Sequence, residues 1–311
     1  MHRVATTIAD AGCGAHDHEH RHGHGCHAHA HGMSPHGLDR AMAIGVALNA
    51  IFVALEVTAG VMSGSLALIA DAGHNASDVL GLLLAWGASL LARRPPTRKY
   101  TWGFRRSTIY AAFLNAVLLL VACGGILFEA WHRLFAPQPV QGPTMIGVAA
   151  VGVLINTLTA LLFVRGQGDA NVRGAFLHMA ADAAISLGVV VAGVAILLTG
   201  HEWIDPVVSI LITLAIVAGT WGLFTESVDL ALDAVPRGID IDAVERALAG
   251  LPGVTSVRDL RVWGPSTSET SLTAHVAVAA GTDAAATLAA AEAVLHDRFH
   301  IAHTTIQIVG A

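Results

Sequence analysis

Two histidine–aspartate pairs with the same spacing are the residues best suited to chemistry. His74 and Asp78 are four residues apart, and so are His178 and Asp182. In a helix, residues four apart lie on one face, one turn from each other, so each pair presents an imidazole beside a carboxylate. If the two helices pack together, they offer two nitrogen and two oxygen ligands, a set that suits tetrahedral Zn²⁺.

Each pair also has a purely structural interpretation, in which the imidazole forms an internal hydrogen bond that neutralises a buried carboxylate. Both pairs lie inside long apolar stretches, and an aspartate at the centre of a membrane-spanning helix costs about 2.5–3.5 kcal/mol. Because this cost occurs twice at identical spacing, we favour a functional site over two unrelated hydrogen bonds. An imidazole near neutrality can also exchange a proton for a metal ion, so protons are a candidate coupling ion.

Three further polar residues lie in the apolar stretches near these pairs. Asp71 precedes His74 by three residues and is either a carboxylate that orients the imidazole or a cap near the helix start. Asn49 and Glu56 are seven residues apart and share a helix face. They line an access path or form a structural pair inside the bundle.

The composition indicates a membrane protein. Of 311 residues, 54% are hydrophobic and 13% are charged, whereas a soluble domain carries about 25% charged residues. Six apolar stretches approach or exceed the length of about 20 residues that crosses a bilayer. They are roughly 40–62, 66–91, 107–132, 144–165, 174–199 and 204–228. The modest net charge of −6 gives no reason to expect a nucleic-acid partner.

The basic residues predict the orientation of the chain in the membrane. The connection after the second apolar stretch carries six of them: Arg93, Arg94, Arg98, Lys99, Arg105 and Arg106. Cytoplasmic loops are enriched in Lys and Arg, so we place this connection in the cytoplasm. With an even number of spans, both termini lie on the same side. We therefore expect a multi-pass protein of the cell (inner) membrane with both termini cytoplasmic.

Two segments flank the predicted transmembrane domain, residues 38–230. Residues 1–37 form a histidine-rich tail without apolar periodicity, which predicts disorder and weak metal binding. The candidate tail ligands are His16, His18, His20, His22, His24, His27, His29 and His31. Residues 231–311 have alternating patterns that predict the order α-β-β-α-β, typical of a small two-layer α/β domain of the ferredoxin-like type.

Five short motifs are distributed along nearly the whole chain after residue 38. They are residues 71–75 with Asp78, 100–106, 178–182, 272–276 and 303–308. Their pattern resembles the zinc-transporting branch of the cation diffusion facilitator family. The resemblance implies a homodimer in the lipid bilayer that exports Zn²⁺ from the cytoplasm in exchange for protons, without enzymatic activity. It also implies a transport site at His74, Asp78, His178 and Asp182 in each protomer.

The C-terminal domain departs from the pattern of that family. Arg258 and Arg261 occupy a strand in which many relatives carry histidines. His275 and His303 remain as candidate ligands for a metal ion in this domain.

Three alternatives compete with zinc export. The chain could export Co²⁺, Cd²⁺ or Ni²⁺ instead, because these ions also occupy nitrogen and oxygen sites. It could be a membrane-anchored metal sensor, although sensing needs no site inside the spans. It could also be an intramembrane metalloenzyme, but the predicted spans contain no His-Glu-x-x-His stretch to support one.

Overall fold

The computed structural model describes residues 35–164 and 170–310, so the tail histidines His16 to His31 lie outside the described residues. Six long helices confirm the six predicted apolar helices. They are α1 Pro35–Ser63, α2 Leu66–Ala92, α3 Ser107–Phe135, α4 Gly142–Phe163, α5 Ala170–Thr199 and α6 Ile204–Ala231. Helices α2 to α6 each contain a stretch long and apolar enough to cross a membrane, and α1 contributes the shorter apolar stretch Asn49–Ser63. Residues Ile44–Ala311 form one compact unit, and the contacts described below lie within it.

Large apolar side chains cover the outside of the helix bundle. Trp86, Val121 and Leu198 are 66%, 68% and 79% exposed, which is unfavourable in water but favourable in lipid. Small side chains such as Ala67 and Ala149 are fully buried, and such residues let neighbouring helices approach closely. This distribution is that of a multi-pass membrane protein.

A tight turn joins α1 to α2. Gly64 adopts a φ of +70°, a conformation that side chains rarely tolerate, and a Cβ there would also meet the Pro139 carbonyl oxygen at 2.8 Å. The next residue, Ser65, is the N-cap of α2, and its hydroxyl accepts a hydrogen bond from the Leu68 N–H group at 3.1 Å. The turn therefore sets where α2 begins.

The buried carboxylate of Asp205, in the first turn of α6, completes this cap. It accepts hydrogen bonds from the Ser65 hydroxyl at 2.6 Å and from the N–H groups of Leu66 and Ala67 at 2.8 and 3.3 Å. The positive end of the helix dipole also favours a carboxylate at this position. The start of α2 is thereby tied to the start of α6, which positions the residues further along α2.

The C-terminal domain has the predicted α-β-β-α-β order. Its elements are α7 Ile241–Ala249, β1 Val254–Trp263, β2 Ser271–Val278, α8 Ala284–Phe299 and β3 His303–Gly310. The sheet has the order β1-β2-β3, with β1 antiparallel and β3 parallel to β2. Val244 and Leu248 of α7 and Leu295 of α8 pack with the strands in one core, so the domain has two layers.

The loop between α2 and α3 contacts this domain through charged side chains. The Arg105 guanidinium donates to the Glu269 carboxylate at 2.8 Å, and it lies 2.9 Å from Nε2 of His303. Arg106 pairs with Asp233, just beyond the end of α6, at 2.6 Å. These contacts connect the loop at the end of α2 to the C-terminal domain.

We predict that Asp205→Asn destabilises the helix bundle. An amide nitrogen cannot accept a hydrogen bond, and the donors of Ser65, Leu66 and Ala67 use both carboxylate oxygens. At least one buried donor therefore loses its acceptor, which costs about 1–3 kcal/mol of unfolding free energy. The measurement is the thermal unfolding midpoint in detergent. Asp242→Asn, an exposed residue of α7, is the control, and equal midpoints for both variants would contradict the prediction.

Candidate metal site

Helices α2 and α5 position the four residues singled out by spacing. Helix α2 carries His74 and Asp78, and α5 carries His178 and Asp182. The two helices pack against each other, and each residue pair spans one helical turn. All four side chains consequently face the same interface.

The four side chains form two layers, each with one imidazole from one helix and one carboxylate from the other. In the first layer, Nε2 of His74 lies 3.0 Å from Oδ1 of Asp182. In the second, Nε2 of His178 lies 3.3 Å from Oδ2 of Asp78. The distances within each helix are longer, at 4.0 Å from His74 to Asp78 and 3.7 Å from His178 to Asp182. The stronger contacts therefore cross from helix to helix.

Exposure differs between the two layers. The side chains of His74 and Asp182 are 15% and 2% exposed, whereas those of His178 and Asp78 are 47% and 30% exposed. The second layer lies on the side of the α2–α3 loop, because Asp78 follows His74 along α2. The site is thus more open toward the end of the bundle that carries this loop.

The donor atoms lie close to the spacing of ligands around one metal ion. Ligand atoms of His74, His178 and Asp182 lie within 4.8 Å of one another, and the Asp78 carboxylate lies within 4.0 Å of both imidazoles. Zinc bonds to nitrogen and oxygen are near 2.1 Å, so ligands at two corners of a tetrahedron are roughly 3.4 Å apart. The observed separations bracket that value, so small side-chain movements could bring all four donors onto one ion.

The predicted neighbours of these ligands form a second cluster one turn away. Asp71 accepts a hydrogen bond from the Ser186 hydroxyl at 2.8 Å, and Glu56 accepts one from the Asn75 amide at 2.9 Å. Asp71 and Glu56 are both fully buried.

The sequence allows two roles for Asp71. Nδ1 of His74 has no hydrogen-bond partner among the described residues, so Asp71 does not bond to this imidazole here, and the N-cap of α2 is Ser65 rather than Asp71. A role of Glu56 in an access path to the ligands remains a prediction.

Asn49 and the two histidines of the C-terminal domain lie outside α2 and α5, the helices that carry the four candidate ligands. Asn49 is half-buried in α1. His275 pairs with Asp259 at 3.3 Å, whereas His303 contacts Arg105. Their strand partners are Arg258 and Gln307 for His275, and Ser271 for His303, so the two histidines do not meet. A metal ion in this domain remains a prediction.

Three residues of the site region were not predicted from the sequence. Ser186 follows Asp182 by four residues, and the same one-turn argument could have found it. Asn75 adjoins His74, and nothing in its spacing indicates that it bonds to Glu56 of α1. Asp205 could have been suspected as a carboxylate at the start of a span, but nothing local indicates that it caps α2.

Comparison with known proteins gives matches over most of the chain. Residues 42–230 match the cation efflux transmembrane domain, and residues 236–309 match the cation efflux protein, cytoplasmic domain. The metal cation efflux system protein CzcD of Cupriavidus metallidurans is 37% identical over 275 residues, which are 88% of this chain and 87% of that protein. The zinc transporter ZitB of Escherichia coli is 37% identical over 272 residues, covering 86% and 87%. The cadmium, cobalt and zinc/H(+)-K(+) antiporter of Bacillus subtilis is 29% identical over 266 residues, covering 83% and 84%.

Cobalt binding tests whether Asp78 acts as a fourth ligand. We expect the Co²⁺-loaded chain, shortened by residues 1–31 to remove the tail histidines, to show the visible absorption of four-coordinate cobalt. Asp78→Asn and Asp182→Asn should each weaken binding by about tenfold or more, because loss of even an outer partner of a ligand costs that much. Glu129→Gln is the control. Unchanged absorption and affinity in Asp78→Asn would limit the site to the other three residues.

Proposed function

Because the chain belongs to the cation efflux family of divalent cation transporters, we propose that it exports Zn²⁺ from the cytoplasm in exchange for protons. The observation that carries this proposal is the pair of His–Asp contacts that cross from α2 to α5, at 3.0 and 3.3 Å. They offer two imidazoles and two carboxylates, His74, Asp78, His178 and Asp182, inside the bundle. The ion is the cargo of this site rather than a structural component.

The chemistry of the donors favours zinc over harder cations. Mg²⁺ and Ca²⁺ prefer oxygen ligands in larger number, whereas two nitrogens and two oxygens suit tetrahedral Zn²⁺. ZitB is named as a zinc transporter, which supports the proposal. Export of Co²⁺, Cd²⁺ or Ni²⁺ is the second candidate, since the Bacillus subtilis relative is named for cadmium and cobalt as well as zinc.

Proton exchange follows from the fact that metal and protons compete for the same atoms. A ligating imidazole must present a free nitrogen lone pair, so binding of metal to Nε2 of His74 or His178 releases any proton held there. Without metal, a proton on either nitrogen is stabilised by the carboxylate that faces it, Asp182 or Asp78. Release of metal on the external side and release of protons into the cytoplasm would then complete the exchange.

The direction of transport rests on the orientation of the bundle. The loop at residues 93–106 carries six basic residues, whereas the loop at 63–65 carries none, so we place the former in the cytoplasm of the cell (inner) membrane. Both termini then lie on that side, and the more exposed layer of Asp78 and His178 faces it. This arrangement supports entry of metal from the cytoplasm.

Two further features belong to the proposal. The cytoplasmic domain would join two copies of the chain into a homodimer, which light scattering in detergent would register as twice the chain mass of 32.1 kDa. The histidine-rich tail, residues 1–37, would bind metal loosely and concentrate it near the cytoplasmic opening.

Transport into everted membrane vesicles tests the proposed function. Vesicles that contain the protein should take up Zn²⁺ when their lumen is acidic, and the uptake should carry protons out of the lumen. Asp182→Ala removes a carboxylate from the buried layer and should reduce the initial rate by about tenfold or more. The measurements are the initial rates of zinc uptake and of lumenal alkalinisation.

The matched control is Glu129→Gln. Glu129 lies on α3, which carries none of the four ligands, and its carboxylate pairs with Arg133 at 2.9 Å. Equal zinc uptake by the wild type and Asp182→Ala would contradict the site. Metal binding without any uptake would favour the sensor alternative, and uptake of Co²⁺, Cd²⁺ or Ni²⁺ in preference to Zn²⁺ would favour the second candidate.

Deletion of residues 1–31 tests the role of the tail. Because a tail that only concentrates metal does not enter the transport step, we expect the half-saturating zinc concentration to rise while the maximal rate stays unchanged. Replacement of the eight tail histidines by serine should have the same effect. A loss of maximal rate, or no change in either quantity, would contradict this role.

A further inference from the structure

Two carboxyl groups lie buried together beside the metal ligands without being part of them. Glu56 of α1 and Asp71 of α2 are both 0% exposed. Asn75 donates to Oε2 of Glu56 at 2.9 Å, and Ser186 donates to Oδ2 of Asp71 at 2.8 Å. Each carboxyl group therefore has one oxygen satisfied by a neutral side chain.

The other oxygen of each group needs a further partner. Within the described residues, Oε1 of Glu56 and Oδ1 of Asp71 accept no hydrogen bond from any other donor. Asp71 and Asn75 are four residues apart on one face of α2, so Glu56, which bonds to Asn75, lies against the same face of α2 as Asp71. Two facing oxygens of this kind repel each other unless a proton lies between them, and one shared proton would satisfy both.

Compensation of these two groups by a basic side chain would make a shared proton unnecessary. Among the ion pairs of the described residues, none joins a Lys or Arg to Glu56 or Asp71. The titratable groups that face Asp71 are Glu56 from α1, His74 from the next turn of α2 and Asp182 from α5, and His74 is already bonded to Asp182. Two buried carboxylates without a cation would be strongly unfavourable, which favours a protonated pair.

The position of the pair relative to the metal ligands suggests what the proton does. Asp71 lies about one turn before His74 along α2, and Ser186 lies one turn beyond Asp182 along α5. Both steps lead away from the loop at residues 93–106, so in the proposed orientation the pair lies on the external side of the ligands. The exposed fraction decreases in the same direction, from 47% at His178 to 2% at Asp182 and to 0% at Glu56 and Asp71.

We propose that Glu56 and Asp71 form a proton-binding site, separate from the metal ligands, whose shared proton keeps the external side of the transport path closed. The proton comes from external water, bonds to one carboxyl oxygen and is shared with the other as an O–H···O hydrogen bond. When it returns to water, two carboxylates face each other, and their repulsion favours separation of α1 from α2 and entry of water. The closing role rests on the proposed function, whereas the shared proton does not.

Infrared spectroscopy tests the shared proton without any transport. At pH 7.5, ordinary exposed carboxyl groups are ionised, so the wild type should retain the C=O band of one protonated carboxyl per chain, which shifts in D₂O. Glu56→Gln and Asp71→Asn should each remove it, because one neutral amide donates to the remaining carboxylate. Glu129→Gln, whose side chain is 48% exposed, should keep it. Absence of the band in the wild type, or its persistence in both single variants, would overturn the proposal.

Zinc-for-zinc exchange tests the closing role. Everted vesicles are loaded with unlabelled zinc, labelled zinc is added outside at fixed pH, and only the lumenal pH, which corresponds to the external side, is varied. The wild-type exchange rate should rise with lumenal pH. In Glu56→Gln, the exchange rate should be lower by about fivefold or more, because the variant loses a weak repulsion between two carboxylates. It should also lose most of its dependence on lumenal pH. Because Gln keeps an oxygen that accepts from Asn75, the zinc affinity of this variant from the cytoplasmic side should match that of the wild type at acidic lumenal pH, where the wild-type pair also holds its proton.

A double variant, Glu56→Asp with Asp71→Glu, keeps two carboxyl groups and should restore both the band and the pH dependence. An unchanged lumenal pH profile in Glu56→Gln would overturn the closing role, even with the band lost. If the wild type carries no zinc at all, the proposed function fails, while the infrared band still decides whether the pair shares a proton.

Discussion

A carboxyl group inside a membrane-spanning bundle needs a partner from another element, and most such contacts in this chain converge on α2. Asp205 of α6 caps the start of the helix, Asp182 of α5 bonds to His74, and Glu56 of α1 bonds to Asn75. Each unpaired carboxylate would cost several kcal/mol in such surroundings. Three polar contacts from three helices therefore set the position and rotation of α2, and with them the positions of the metal ligands.

The arrangement of the ligands makes the metal site depend on helix packing. Because α2 and α5 run in opposite directions, the histidine of each helix meets the aspartate of the other helix. His74 contacts Asp182, and His178 contacts Asp78. A small rotation or slide of one helix changes both cross-helix distances together. In the proposed four-ligand site, four bonds near 2.1 Å to one ion would demand a single relative position of the two helices, so metal occupancy and bundle conformation would be linked.

Features set by neighbouring residues in the sequence could be predicted, whereas contacts between residues far apart in the sequence could not. The six apolar helices and the α-β-β-α-β order were correct because composition and periodicity report them directly. The one-turn spacing of His74 and Asp78 is likewise local. The partner of each histidine could not be predicted, since it depends on the packing of α2 against α5. Asp205 was missed for the same reason, because its donors lie 138 to 140 residues away in the chain.

The four ligands alone do not explain how only one side of the transport path opens at a time. A proton on a carboxyl pair outside the ligand set would explain it. In the proposed exchange, protons and metal compete at His74 and His178, so either occupant can leave toward any side that is open, and exchange requires that only one side is open at a time. Glu56 of α1 bonds to Asn75, the residue next to His74 on α2, and the proposed pair with Asp71 would add a second connection one turn away. Any movement that separates this pair also displaces the turn that carries His74. Opening of the external side and the geometry of the metal site would then be coupled through the same short segment of α2, without a longer chain of contacts.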